Sequence, residues 1–411
     1  VSCRHIFLSA ALRAAFALWL GGCLAAVLPA QYLNRAAFGG VEAEGFRRDF
    51  PLGSEYFLDR FSYVVSPPWW RRGLPWFADR FEYRLGSTSS TQFTLEGAYD
   101  QRFALDESAG IGVHLLHSEN RDWRFVRQAI ELDLITSEST GVFVQAEPLA
   151  EKSEIDVSAG AWLWRAGDEG LRLMWTGVDL TAEKSRSFDY RRQAHALMLT
   201  GAHGGGEDWR LTWELGGQLP FVVEDTATRE SLSMWRWIGS AESHWRLAER
   251  DWLVAAAELE LTSKELRPAT AGGAATEDFD RAFRQLRLEF WRDTPNRPWS
   301  VGVLHTAMNE DAARPFDPAG GQRGRRQEWF GIARLQLPVD GKLSFEPQLF
   351  AGYVSNRLDG VDRLRHQRFE GKVAWNLRWD FSPTTTLVLV VSTQLDEFAF
   401  GGGGAQFSMR F

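Results

Sequence analysis

Cysteine is nearly absent: the 411 residues hold two, Cys3 and Cys23, both within the first thirty positions. A chain that loses those positions has no thiol left. Disulfides, thiolate metal sites, Cys nucleophiles and haem attached through C-x-x-C-H are then excluded. Long apolar runs are scarce as well. A mean hydropathy of -0.28 is too low for a bundle of membrane helices, each needing about 20 apolar residues. Surplus positive charge is also lacking. With 46 Lys and Arg against 54 Asp and Glu, the chain offers nothing that suggests a nucleic-acid partner.

The one segment that approaches an apolar run lies at the start. Arg4, His5 and Arg13 form a basic head, Ala14 to Leu28 an apolar stretch, and Ala30 follows among small residues. That order predicts a secretory signal peptide over 1–30. A retained anchor and lipidation at Cys23, in the lipobox-like LGGC, stay open beside it. Removing 1–30 takes two Arg and no acid, so 44 basic and 54 acidic side chains remain and the net charge becomes -10.

What is abundant is aromatic: 13% of residues, with 19 Trp and 28 Phe. From about Arg80 onward they fall into alternation. RFEGKVAWNLRWD (368–380) sets Phe369, Val373, Trp375, Leu377 and Trp379 against Arg368, Glu370, Lys372, Asn376, Arg378 and Asp380. Successive side chains of a strand point to opposite faces, so one side is apolar and the other charged. DWRLTWELGGQL (208–219), MWRWIGSAESHWRL (234–247) and WLVAAAELEL (252–261) repeat the pattern. The faces of 171–183 and 188–201 are ambiguous. Short links, such as AERD (248–251) and TPNRP (294–298), alternate with long polar ones, such as 266–279, 311–327 and 358–366. That is the layout of an up-and-down meander.

Three features separate this pattern from a soluble sandwich. The repeats run roughly ten to fifteen residues, where soluble strands average about 5–6. Trp stands near strand ends, and Arg or Glu occupies the opposite face of almost every strand. Trp235 and Trp245 share a face ten residues apart. At about 3.3 Å per residue and a tilt of about 40°, they lie about 25 Å apart along a barrel axis, the height of a lipid-facing band edged by aromatic girdles. Girdle candidates are Trp209, Trp235, Trp245, Trp252, Trp299, Trp329 and Trp379.

The chain ends AQFSMRF, with Phe407, Met409 and Phe411 alternating to the last residue. In this it resembles Gram-negative outer-membrane β-barrel proteins, whose last strand commonly ends in Phe and is read by the barrel-insertion machinery. The resemblance covers about 330 residues, from near Arg80 onward, and implies no subfamily. It implies an all-β transmembrane antiparallel barrel over 77–411 with short periplasmic turns and longer extracellular loops, and the alternating segments tally to about 18 strands (16–20). Bilayer lipid and lipopolysaccharide are the expected surroundings, in the outer membrane of a Gram-negative bacterium.

At that strand number the interior is too wide for side chains to fill. The wet-face charges become pore-lining candidates: Arg210, Glu214, Arg236, Glu242, Arg246, Glu258, Glu260, Arg287, Glu289, Arg334, Arg368, Glu370, Lys372 and Arg378. Passive passage of small solutes or ions is the leading reading. A barrel sheathing an export or electron-transfer partner protein is the alternative, and an outer-membrane enzyme comes last. The histidines at 114, 117, 195, 203, 244, 305 and 366 join no Ser/His/Asp pattern, and H-x-x-H at 114–117 puts its rings on opposite strand faces. No cofactor and no metal site is expected.

Residues 31–76 are rich in aromatics, Arg and Pro and show little alternation; they are expected to form a periplasmic or luminal plug. FLDRFSY (57–63) and FADRFEY (77–83) share a pattern at a 20-residue offset. Arg323, Arg325 and Arg326 are read as part of a long loop within reach of lipopolysaccharide phosphates. GGGG (401–404) is read as lying just before the last strand.

Overall fold

The computed structural model describes residues 80–410, except 88–92, 121–123, 147–156, 167–168, 178–187, 205–207, 226–229, 268–276, 295–296, 314–321, 360–363, 383, 396–397 and 399. The expected signal peptide, the 31–76 segment and Phe411 lie outside the described residues. What is described is strand. β1 (Arg80–Ser87), β2 (Phe93–Ala104), β3 (Ala109–Asn120), β4 (Arg124–Ile135) and β5 (Gly141–Ala146) open the sheet. β6 (Val157–Ala166), β7 (Glu169–Gly177), β8 (Phe188–Arg192), β9 (His195–Gly204) and β10 (Trp209–Asp225) follow. Then come β11 (Ser231–Ala248), β12 (Asp251–Arg267), β13 (Glu277–Arg292), β14 (Trp299–Ala313) and β15 (Gln322–Leu335). The last are β16 (Leu337–Pro338), β17 (Leu343–Asp359), β18 (Leu364–Ser382), β19 (Thr385–Gln394) and β20 (Phe400–Arg410).

Every pairing is antiparallel, and the sheet closes. β20 pairs with β19 on one side and with β1 on the other, from Arg80↔Arg410 to Ser87↔Gly403. Two of the twenty elements are halves of a broken strand. β8 and β9 both pair along β10, and β15 and β16 both pair along β17. Twenty elements less two breaks leave a ring of 18 staves, as the alternation predicts.

The faces are inverted relative to a soluble protein. Along β4, Glu131 is 5% exposed, Leu132 47%, Asp133 1% and Leu134 44%. The buried charges lie on the concave side, because side chains there reach across intervening strands. Arg172 of β7 bonds Glu131 of β4, three staves away. The exposed apolar side chains are therefore on the outside, where acyl chains can cover them.

The two rims differ. At the rim of Arg80 and Arg410, strands are joined through 105–108, 136–140, 167–168, 205–208, 249–250, 293–298, 339–342 and 383–384. At the opposite rim the links include 147–156, 178–187, 268–276 and 314–321. Outer-membrane barrels keep short turns on the periplasmic side and longer loops outside.

Three short turns share one design. Leu105, Thr136 and Val339 each donate an N–H to the carbonyl four residues on, at 2.9, 2.9 and 2.8 Å. The next side chain then caps the turn from within: Asp106 Oδ1 accepts from the N–H of Ser108 and Ala109, and Asp340 Oδ1 from those of Lys342 and Leu343. Ser137 Oγ does the same for Ser139 and Thr140. Asp and Ser suit the position because a short acceptor reaches its own backbone two and three residues ahead.

The reading of 311–327 as one polar loop is corrected. β14 runs to Ala313 and β15 begins at Gln322, so Arg323, Arg325 and Arg326 are strand residues. The strands here continue past the apolar band, and their polar ends read as loop. GGGG 401–404 lies within β20, not before it.

Backbone donors hold the Asp340 carboxyl below its ordinary range, the N–H of Lys342 first and of Leu343 next, and the Ser108 N–H leads the same effect on Asp106. A carboxyl depressed on folding adds stability above its unfolded pKa, about 3.9, and that contribution fades as pH falls through the lower folded value. Amide exchange should therefore show protection at Leu343 fading below about pH 4 in the native chain. In Asp340→Asn, whose amide oxygen still accepts but does not titrate, protection should stay level over the same range.

Candidate functional site

By strand register the fourteen candidates share the phase of the concave face. Register places Arg210 opposite His244, Glu214 opposite Ser240, and Arg236 opposite Gln218. It sets Glu258 opposite Ser240, Glu260 opposite Ile238, Arg246 opposite Trp252, and Arg287 opposite Ala256 in the line of Glu242. Glu289 lies opposite Val254 and Arg334 opposite Ser300. Along β18, Arg368, Glu370, Lys372 and Arg378 alternate in the same phase, opposite Val354, Gly352, Phe350 and Ser344 of β17.

Eight of them lie on β11, β12, β13 and β15, where a cluster of paired charges forms. Arg287 Nη2 donates to Glu242 Oε2 at 2.8 Å, and His244 Nε2 lies 2.8 Å from Glu242 Oε1. Arg334 Nε donates to Glu289 Oε1 at 3.0 Å, and Trp291 Nε1 to Glu289 Oε2 at 3.1 Å. The two Arg–Glu pairs join alternate staves, about 10 Å apart, and tie the wall laterally, while His244 and Trp291 each support the carboxylate two residues away on their own strand. Farther toward the loop rim Arg236 faces Glu260 at 3.5 Å. On β18, Arg378 donates to both carboxylate oxygens of Asp380 at 3.0 Å.

A second cluster, on β3–β7, escapes a reading centred on the C-terminal half. Arg172 Nη2 donates to Glu131 Oε2 at 2.6 Å, with His114 Nε2 3.7 Å from the same oxygen. The Arg172 guanidinium lies 3.8 Å from the Phe143 ring centroid and 5.0 Å from that of Trp162. Trp162 Nε1 donates to Asp133 Oδ1 at 3.1 Å. Gly160 makes room: a Cβ there would stand 2.3 Å from the Phe143 ring. The signal was available in RFVRQAIELDLI, where Glu131 and Asp133 alternate with Ile130, Leu132 and Leu134.

Of the girdle candidates, six lie on the outer face. Trp209 and Trp245 face one another across β10 and β11, and Trp235 shares their side. Trp299 packs against Phe290, Trp329 against His305, and Trp379 stacks on Phe381 with centroids 4.7 Å apart. Trp252 is the correction. It points inward, 4% exposed, among Val254 and Trp291 beneath Arg246. Its neighbour Leu253 holds the outer position, and alternation leaves Trp252 the other side. Phe407 and Met409 lie between Leu387 and Tyr83, and between Thr385 and Phe81, so the closing seam runs through them.

Among the described residues no group of three or more His, Cys, Asp or Glu is placed to hold a metal. The arrangement is a charge-paired inner wall.

No family model matches the chain, and no curated protein matches it in sequence. Solved structures are similar at low levels. The translocator domain of the autotransporter NalP from Neisseria meningitidis is 11% identical, with a TM-score of 0.33 over 67% of this chain and 90% of that one. OccK11 from Pseudomonas aeruginosa is 14% identical, with a TM-score of 0.36 over 81% and 94%. CdiB from Acinetobacter baumannii is 9% identical, with a TM-score of 0.39 over 81% of this chain and 60% of that one. Sheet closure and inverted faces give the chain the architecture of a membrane-spanning antiparallel β-barrel.

Removing one member of a buried ion pair strands the other. Arg172→Met should lower the urea unfolding free energy of the folded barrel by about 3–5 kcal/mol, whereas Arg172→Met with Glu131→Gln should cost much less. Equal losses in the two variants would contradict the pairing.

Proposed function

We propose that the barrel carries small hydrophilic solutes or ions through its lumen by passive passage. The observation supporting this is the inner face itself, where Arg and Glu alternate on β10–β13, β15 and β18 of a cylinder too wide to be filled by its own wall. With 18 staves spaced about 4.8 Å and tilted about 40°, the backbone circle is about 36 Å across, leaving about 20 Å after side chains. Opposed charges along such a lumen order water and sort ions by sign.

One observation favours a second reading, in which the lumen sheathes a polypeptide. Phe279, Phe283 and Phe330 point inward and are each 1% exposed, with Phe350 at 2%. Phe330 and Phe350 pack with Leu304, Ile332 and Val354 along the wall, and a chain in the lumen would complete their cover. The aromatic-rich segment 31–76 joins the barrel at Arg80, on the short-turn rim, and is the occupant this reading assigns.

Planar-bilayer recordings on purified protein test both. Passive passage calls for discrete conductance steps, with Glu258→Gln and Glu370→Gln together moving the reversal potential toward anions. Silence from the full chain and from a chain lacking 31–76 would reject the pore. A silent or narrow full chain that conducts after that deletion would support the occupied lumen, and equal conductance would reject it.

A further inference from the structure

On the inner face near the short-turn rim, one stave of the wall is broken beside a proline. β17 runs through Pro347, which has no N–H to give. Its ladder with β18 continues across that residue. The ladder with β15 stops at Arg334↔Gln348 and resumes in β16 at Leu337↔Phe345, in the same register. The missing donor falls on the β15 side. The Gln336 N–H turns the other way, to the Pro298 carbonyl at 2.8 Å. Here the wall holds a hollow of about 340 Å³, its mouth included, whose lining includes Trp291, Pro298, Arg334, Gln336, Glu346 and Gln348.

Glu346 sets the charge of this hollow. Its half-buried carboxylate accepts from the Ser344 hydroxyl at 3.2 Å, and Ser344 Oγ accepts from Gln336 Nε2 at 3.2 Å. Among the described residues no ion pair reaches Glu346, because the cations on both sides are committed elsewhere. Arg334, diagonal to it on β15, donates to Glu289 at 3.0 Å. Arg378, diagonal to it on β18, donates to both oxygens of Asp380 at 3.0 Å. Those pairs cancel and leave Glu346 as the surplus charge.

A second group adds to the demand for a donor. Ser300 stands between Trp291 and Arg334 in register, on the same inner face. It is 1% exposed, and its Oγ has no hydrogen-bond partner among the described residues. A buried hydroxyl without a partner is costly. An acid lacking a cation and a hydroxyl lacking a bond, bordered by the Trp291 indole and the Pro298 ring, call for a particular kind of occupant. It is a planar cation carried on a hydrocarbon stem.

We propose that this hollow binds a small guanidinium-bearing solute, its planar head on Glu346 and reaching toward Ser300, its stem against Trp291 and Pro298. A guanidinium suits the site better than an ammonium because it meets a carboxylate at two points and keeps donors for a neighbouring hydroxyl. The role of the site as a station in transit rests on passive passage through the lumen. Binding itself does not, and is measured without conductance.

Saturation-transfer NMR on the full folded chain in a non-ionic detergent tests it, with butylguanidinium, butylammonium and butyrate as probes that share one stem. Butylguanidinium should bind saturably, butylammonium more weakly, and butyrate not at all. Glu346→Gln should weaken butylguanidinium binding about tenfold, as loss of a charged hydrogen-bonded pair does, and Ser300→Ala about threefold. Glu346→Asp should keep part of the binding, which guards against misfolding as the cause. Glu138→Gln, in the turn 136–140 of the same rim, should leave binding unchanged. Equal transfer to butyrate, or undiminished binding in Glu346→Gln, would overturn the assignment. Bilayer recordings separate the site from the passage reading: binding in a barrel that never conducts keeps the site and rejects the pore, and conduction without binding rejects the site.

Discussion

A backbone amide in hydrocarbon has no water to turn to, so a sheet can enter a bilayer only when its last strand finds its first. The β1–β20 seam satisfies that requirement over Arg80–Ser87 and Gly403–Arg410. Much else follows from it. An antiparallel ring closed on itself needs an even number of staves, and both ends of the ring must fall on one rim. The interruptions at 193–194 and 336 are tolerated because both halves of each broken stave stay on the same neighbour. β8 and β9 remain on β10, and β15 and β16 on β17.

Closure also decides which side of the sheet is expensive. Outside, Leu, Val and Trp meet lipid at no cost in hydrogen bonds. Inside, Glu131, Arg172, Arg287, Glu289 and Arg334 are nine-tenths buried or more, and desolvated ions are stable only with partners. Glu289 shows how that is met: Arg334 holds one oxygen and the Trp291 indole the other. Glu131 draws on Arg172 across three staves, with Phe143 and Trp162 shielding the guanidinium. The Glu289–Arg334 and Glu131–Arg172 links run laterally, across strands that are already paired by their backbones, and so brace the cylinder against flattening. The inner wall thus carries paired charges and packed inward Phe residues side by side.

How much of this was legible in the sequence depends on parity. Stave number, the order of the links, and the face of every Arg and Glu candidate could be read, because a period of two leaves a side chain only two choices. Trp252 was misplaced for want of that rule: its residue type suggested a girdle, while Leu253 beside it already held the outer position. Tryptophan suits an interface and a buried luminal stack equally well, so chemistry alone could not assign it. The extent of β14 and β15 was hidden for another reason. Beyond the lipid band both faces of a strand meet water, alternation lapses, and a strand end such as QRGRRQ has the composition of a loop. The Glu131–Arg172 cluster needed more than parity, since nothing in a linear pattern says that residues 41 apart will touch across three curved staves.

Because parity governs both faces, inner and outer chemistry cannot vary independently. β15 carries Arg334, Phe330 and Glu328 inward and Trp329 and Arg325 outward, in a single register set by fourteen direct pairs with β14. A slip of one residue would carry Glu328 and Arg334 into lipid and Trp329 into the lumen at the same time. The penalty on both sides is what holds the register, and it is greatest where both faces are most specialised. Those are the long strands β10–β15, β17 and β18, of 14 to 19 residues, against 6 to 12 for β1–β7. The barrel is therefore most firmly specified on the side where its paired inner charges and its outer aromatic side chains Trp329, Tyr353 and Phe369 stand back to back. Neither set could be repositioned without moving the other.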